Sequence, residues 1–177
     1  FLHIGAVEFE CDIFVNQTYI GHYFSGFAPV CAEITDAWDS QAENTLCIRA
    51  SDPGAPYQPS GKSYASRSGI WQSVWLEARP QTYIDHFQIE TRCSGTVTIR
   101  AVFGGSAHGT LHAVFGDATA SSDGNTVVLH IDPPQLWTPD HPYLYEGTLS
   151  LTTPDGVDTV HTYFGIREIS RARVDNL

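Results

Sequence analysis

The chain has 177 residues, enough for one large domain or two small ones, and 42% of them are hydrophobic with no apolar run of the ~18 residues that a membrane-spanning helix requires. Nine Lys and Arg against twenty Asp and Glu give a net charge of −11 with no basic cluster, which argues against nucleic acid as a partner. Cys11, Cys31, Cys47 and Cys93 show neither C-x-x-C spacing nor the density of a disulfide scaffold, and they read as buried small apolar residues rather than ligands or bridges.

Alternation with period two recurs along the chain while helical periodicity is nearly absent, so the class is all-β. FLHIGAV begins as though already inside a strand and without a methionine, which reads as a piece of a longer polypeptide. In FECDIFVN, Phe9, Cys11, Ile13 and Val15 share a core face, and Glu8, Glu10, Asp12 and Asn16 lie opposite, with Phe14 the exception. Asn16-Gln17 has hairpin spacing, and a type I′ turn there would load about 1 kcal/mol of strain onto Gln17. TYIGHYF, PVCAEI and NTLCIRA are further strands, interrupted by one helical turn within 35–41. The segment 51–68, SDPGAPYQPSGKSYASRS, is the longest without strand character, a length that in compact domains marks a functional or disordered loop.

GIWQSVWLE reads as one strand with Ile70, Gln72, Val74 and Leu76 on one face and Trp71, Ser73, Trp75 and Glu77 on the other. The tryptophan face needs a cover, either a neighbouring domain or a ligand. Ala78-Arg79-Pro80 ends that strand and sets a domain boundary between 80 and 81. YIDHFQIETR, TVTIRAVF, TLHAVF, NTVVLHI, YEGTLSL, DTVHTYF and IREISRA then follow at the spacing of a β-sandwich, with a hairpin signal at Asp155-Gly156. In LWTPDHPYLY, Trp137 and Tyr143 are rigid apolar anchors, and plain core packing is the favoured role for them.

No constellation nominates a catalytic residue. Glu8 with Glu10 and Asp36 with Asp39 are the carboxylate pairs a retaining glycosidase would need, yet both read as solvated charges. His108 and His112 lie four apart on a strand, roughly 13 Å, too far to share a zinc ion. Neither a metal set nor a G-x-S-x-G elbow, P-loop or dinucleotide fingerprint is present, so no cofactor is expected.

The stretches LHIGAVEFECDIFVNQTYIGHYFSGFAPVCAEIT, ENTLCIRASDP, SGIWQSVWLEARPQTYI and PPQLWTPDHPYLYEGTLSLTTPDGVDTVHTYFGIREI, in that order, resemble the N-terminal domains of glycoside hydrolase family 2, which includes β-galactosidases, β-glucuronidases and β-mannosidases. The resemblance implies a partial jelly-roll, galactose-binding-like sandwich over 1–80 that lacks its first strands. It further implies an immunoglobulin-like β-sandwich over 81–170, and a linker over 171–177 toward a (β/α)₈ barrel in cis. That barrel would carry both catalytic glutamates, one as acid/base and one as nucleophile. No residue of this chain matches those motifs, so it should be inactive alone, and an unfinished first sheet should leave it marginal or sticky.

The implied partner of the whole protein is a β-linked carbohydrate; the sugar, the compartment and the oligomeric state stay open. In family members the loop before Gly-Ile-Trp approaches the active-site mouth, in some with a carboxylate. GKSYASRS here has no acid, which weakens a specific claim for galactose. Lys62, Tyr64, Arg67 and Trp71 are the candidate accessory substrate contacts, while Trp75 is expected to pack within or between the sandwiches and His22 to be structural. Two alternatives remain: a stand-alone carbohydrate-binding module using Trp71 and the 51–68 loop, and a structural or adhesive sandwich protein.

Overall fold

The computed structural model describes residues 1–52, 68–105 and 108–169. The chain is all-β and divides into two compact units, Phe1–Ala78 and Arg79–Leu177.

The first unit contains β1 (Leu2–Ile4), β2 (Val7–Glu8), β3 (Glu10–Val15), β4 (Thr18–Phe24), β5 (Val30–Ala32), a 3₁₀ turn (Thr35–Ala37), β6 (Leu46–Ser51), β7 (Gly69–Ile70) and β8 (Val74–Leu76). They pair as β4-β3-β6, β5-β1-β8 and β2-β7, all antiparallel. In β3 the alternation holds: Cys11, Ile13 and Val15 are buried against Leu2, Ile4, Val7, Val30, Ala32 and Ile34, while Glu10, Asp12 and Phe14 face outward. Phe9 does not join them. It lies in the break between β2 and β3, half-buried, edge-on to Phe24 at 5.9 Å.

The β3–β4 turn has Asn16 at φ 51° and Gln17 at φ 69°, the double positive φ of a type I′ hairpin. Asn16 suits this, and its side chain ties the turn down by donating to Ala37 O at 3.0 Å and Asn44 Oδ1 at 2.7 Å. Gln17 carries the strain. Of the four cysteines only Cys11 is buried; Cys31 and Cys47 are exposed and Cys93 is half-buried. The buried reading fails for Cys31 because it sits on the outward side of the three-residue β5, and for Cys47 because it lies on the outer face of β6 with Phe14.

The second unit contains β9 (Tyr83–Thr91), β10 (Thr96–Gly104), β11 (Thr110–Phe115), β12 (Ala118–Ser122), β13 (Thr126–His130), β14 (Tyr145–Thr153) and β15 (Gly156–Phe164). A three-stranded sheet, β13-β10-β9, faces a four-stranded one, β12-β11-β14-β15, in an immunoglobulin-like sandwich. Its core takes Val97, Ile99 and Ala101 from β10, Leu111, Ala113 and Phe115 from β11, Val127 and Leu129 from β13, and Leu149 and Leu151 from β14. The β14–β15 hairpin pairs Thr153 with Gly156, whose φ of 141° only glycine adopts readily.

Within the described part of IREISRA no strand forms; Ile166 makes only a single parallel bridge to Leu136. Trp137 and Tyr143 are both half-buried rather than core residues. The Trp137 amide N–H donates to Ile166 O at 2.8 Å, Arg167 lies 4.9 Å over the ring, and a Cβ on Gly165 would stand 3.1 Å from its Cδ1. Trp137 therefore clamps the segment that follows β15, and glycine at 165 provides the clearance. Tyr143 packs edge-on to Tyr145 at 4.9 Å, whose hydroxyl accepts from the Gln135 amide at 2.6 Å.

Candidate functional site around Trp71

GIWQSVWLE is not one strand. It runs antiparallel to LHIGAVE, with β7 on β2 (Val7 opposite Ile70) and β8 on β1 (His3 opposite Trp75), and both partners break at the same place. There the Gly5 N–H donates to Ser73 O at 2.8 Å and the Trp71 N–H to Ala6 O at 3.3 Å. A Cβ on Gly5 would lie 2.8 Å from Gln72 Cβ, so the kink depends on glycine opposite it.

The kink gives the two tryptophans different surroundings, where strict alternation would have put them on one face. Trp75 is not a core residue: it remains 45% exposed on an edge strand, lying flat on His3 with ring centroids 4.9 Å apart. His3 Nε2 in turn stands 2.8 Å from Glu77 Oε2. Packing of Trp75 into a core fails because β8 is exposed along its whole length, Val74 and Leu76 included.

Trp71 is half-buried and held from several directions. Its indole N–H donates to Gly26 O at 3.1 Å, and Phe27, itself 82% exposed, meets the ring edge-on at 5.7 Å. Gly26 reaches this position through a left-handed φ of 68°, and its own N–H donates to Val7 O at 2.8 Å. The Ser25 hydroxyl accepts from the Val7 N–H at 3.2 Å, which locks the 25–28 turn against β2. With its N–H engaged, Trp71 offers a ligand its ring carbons, the part of indole suited to the C–H face of a sugar.

Lys62, Tyr64 and Arg67 lie outside the described residues. The residues flanking 53–67 are joined, since the Ser68 hydroxyl donates to Asp52 Oδ2 at 2.7 Å, immediately before the Trp71 motif begins at Gly69. Asp52 is an acid at this loop that GKSYASRS alone did not contain, and with Phe27 and Gly26 it was missed by reading the motif in isolation. The available signal was the SGF tripeptide that follows β4, since Gly followed by an aromatic residue after a strand marks a turn that projects a ring. Glu8 lies at the same turn, with Oε2 3.8 Å from where a Gly26 Cβ would stand. Glu8 in β2 and Glu10 in β3 belong to different sheets, so they do not form the paired carboxylates that their spacing allowed.

Residues 82–167 match the family model "Glycosyl hydrolases family 2". The second unit is thus similar to that family over most of its length. Similarity extends over both units: rat β-glucuronidase is 26% identical over a match that covers 96% of this chain and 32% of the rat protein. A β-galactosidase of Halalkalibacterium halodurans is 25% identical, with 94% of this chain and 18% of that protein covered. Among solved structures, Lactobacillus rhamnosus β-glucuronidase superposes with a TM-score of 0.75 at 25% identity, over 97% of this chain and 33% of that one. The chain thus spans about a third or less of the length of these family 2 relatives.

Proposed function

We propose that the chain forms the non-catalytic N-terminal domains of a retaining β-glycosidase, bracing a catalytic barrel and contributing one wall of its sugar pocket. The observation that carries this reading is the coverage: nearly the whole chain matches β-glucuronidases and β-galactosidases, yet only 18% to 32% of them. The catalytic carboxylates of a retaining enzyme, about 5 to 5.5 Å apart, then belong to the remainder of the protein. Trp71 and Phe27 form the accessory rim, and Lys62, Tyr64 and Arg67 are further candidate substrate contacts from the adjoining sequence. A rim that contacts substrate equally in ground and transition states lowers KM without raising kcat.

The test is hydrolysis of p-nitrophenyl β-galactoside and β-glucuronide. The whole protein should turn over one of them, and the 177-residue chain alone neither. Trp71→Ala in the whole protein should raise KM about tenfold, the loss of roughly 1.4 kcal/mol of binding, with kcat nearly unchanged. Turnover by the chain alone, or an unaltered KM in the variant, sinks the reading. Millimolar binding of simple β-glycosides by a protein with no barrel would favour the stand-alone carbohydrate-binding module instead.

A further inference from the structure

The outer face of the β4-β3-β6 sheet is built as three cross-strand rows. Register places Phe24, Glu10 and Ser51 in one row, His22, Asp12 and Arg49 in the next, and Tyr19, Phe14 and Cys47 in the third, beyond a bulge after Ile13. The central row is locked: Asp12 Oδ1 lies 2.8 Å from His22 Nδ1, and Asp12 Oδ2 accepts from Arg49 Nε at 3.1 Å and Nη2 at 2.5 Å. His22 Nε2 stands 3.5 Å from Glu10 Oε2. Phe24, 66% exposed, meets His22 edge-on at 4.8 Å, and Tyr19, 55% exposed, tilts against Phe14 at 5.4 Å.

Over the polar rows lies a cleft of about 520 Å³ lined by Glu10, Asp12, His22, Arg49 and Ser51, within the size range of small-ligand sites. The His22 and Arg49 hydrogen bonds hold the Asp12 carboxyl below its ordinary pKa, so it remains an acceptor in mild acid. Arg49 keeps donors on Nη1, and Glu10 and Ser51 keep acceptor lone pairs, with their positions already set by the row.

From this geometry we propose that the outer face of β4-β3-β6 is a carbohydrate-binding site for a neutral oligosaccharide, formed by side chains other than Trp71 and Phe27. An exposed ring at each end and fixed donors and acceptors between them match a ligand whose faces are C–H and whose edges are hydroxyls. Arg49 is compensated by Asp12, Glu10 adds a further carboxylate, and the chain carries a net −11, so an anionic ligand is repelled. The proposal does not rest on the glycosidase reading: it stands whether or not the whole protein hydrolyses a glycoside.

Affinity electrophoresis of the whole protein tests it, in gels containing β-1,4-galactan, β-glucan or, as the anionic probe, polygalacturonate. Retardation by at least one neutral polymer and none by polygalacturonate is expected. Phe24→Ala, Tyr19→Ala and Asp12→Asn should each weaken it at least tenfold, and Val114→Ser, on the outer side of the second unit, should leave it unchanged. Phe24 and Tyr19 are exposed, so matching melting curves will show that their variants fold. Absence of retardation in both neutral gels, or binding retained in Phe24→Ala and Asp12→Asn together, overturns the proposal. So does retardation by polygalacturonate alone, and so does loss in Trp71→Ala with retention in Phe24→Ala, which would assign binding to the rim.

Discussion

In Arg79–Leu177 the central strands of both sheets turn apolar rows inward, and the rings of Phe115, Phe164 and Tyr145 stack within the same sandwich. In Phe1–Ala78 the core is made of small and medium aliphatic residues, and the large aromatic side chains Phe24, Phe27, Trp38 and Trp75 stand outside it. The difference teaches where each unit spends its hydrophobicity. The second encloses aromatic rings in its core, whereas the first packs aliphatic residues there and leaves more of its large rings exposed.

The largest effects should come from the two cores and should differ between them. Leu149→Ala, at a fully buried position between β11 and β15, is expected to cost about 4 kcal/mol, near the upper end for such a deletion, because its neighbours are fixed on both sides. Ile13→Ala, equally buried in a thinner core bordered by short strands that can relax, should cost nearer 2 kcal/mol. Urea unfolding followed in each unit checks both, and equal losses would break the contrast.

Gly147→Ala sharpens it further. The added Cβ would stand 2.1 Å from Val114 O and 2.5 Å from Phe115 Cδ1, so overpacking should cost about 2 kcal/mol, read as a lower Tm of the second unit. Trp75→Ala removes a half-exposed ring and its stack on His3, and should lower first-unit stability by only about 1 kcal/mol. Gln17→Gly should act in the opposite sense, raising the urea midpoint by relief of about 1 kcal/mol of positive-φ strain, less the entropy of the added glycine.

The smallest effect is in acid. Each unit holds one aspartate below its ordinary pKa: Asp12 mainly through its hydrogen bond to His22 and then to Arg49, and Asp85 mainly through its hydrogen bond to His86, with Arg79 adding its charge. A depressed folded-state pKa contributes stability that is present above the unfolded value near 3.9 and lost as pH falls through the folded value. Below about pH 4, therefore, stability should fall more steeply in the parent protein than in Asp12→Asn or Asp85→Asn, as seen by acid titration of the circular dichroism signal. Identical acid limbs in the parent protein and the variants would show that these exposed pairs contribute nothing measurable.

Much of the fold was legible in one dimension. Alternation found β3 except at its start, where Phe9 falls outside the strand, because a half-buried strand must repeat every second position, and the hairpin spacing at Asn16-Gln17 marked a turn that the structure closes with two positive φ values. The candidate site was less legible. Trp71 was identified from its motif, but Phe27, Gly26 and Asp52 come from segments distant in sequence, and local periodicity carries no information about them.

What the amino-acid order determined by itself was therefore local: an all-β chain, most of its strands though not β12, and the inward positions Cys11, Ile13 and Val15 of β3. Only the tertiary structure decided that GIWQSVWLE divides between two sheets, because its partners β1 and β2 break at Gly5 and Ala6, which bond to Ser73 and Trp71 across the gap. It likewise decided that Trp75 stays outside and that His22, Asp12 and Arg49 form one row. Cross-strand register is set by pairing between segments far apart in the chain, and a period-two pattern states which face a residue takes but not which residues it meets there.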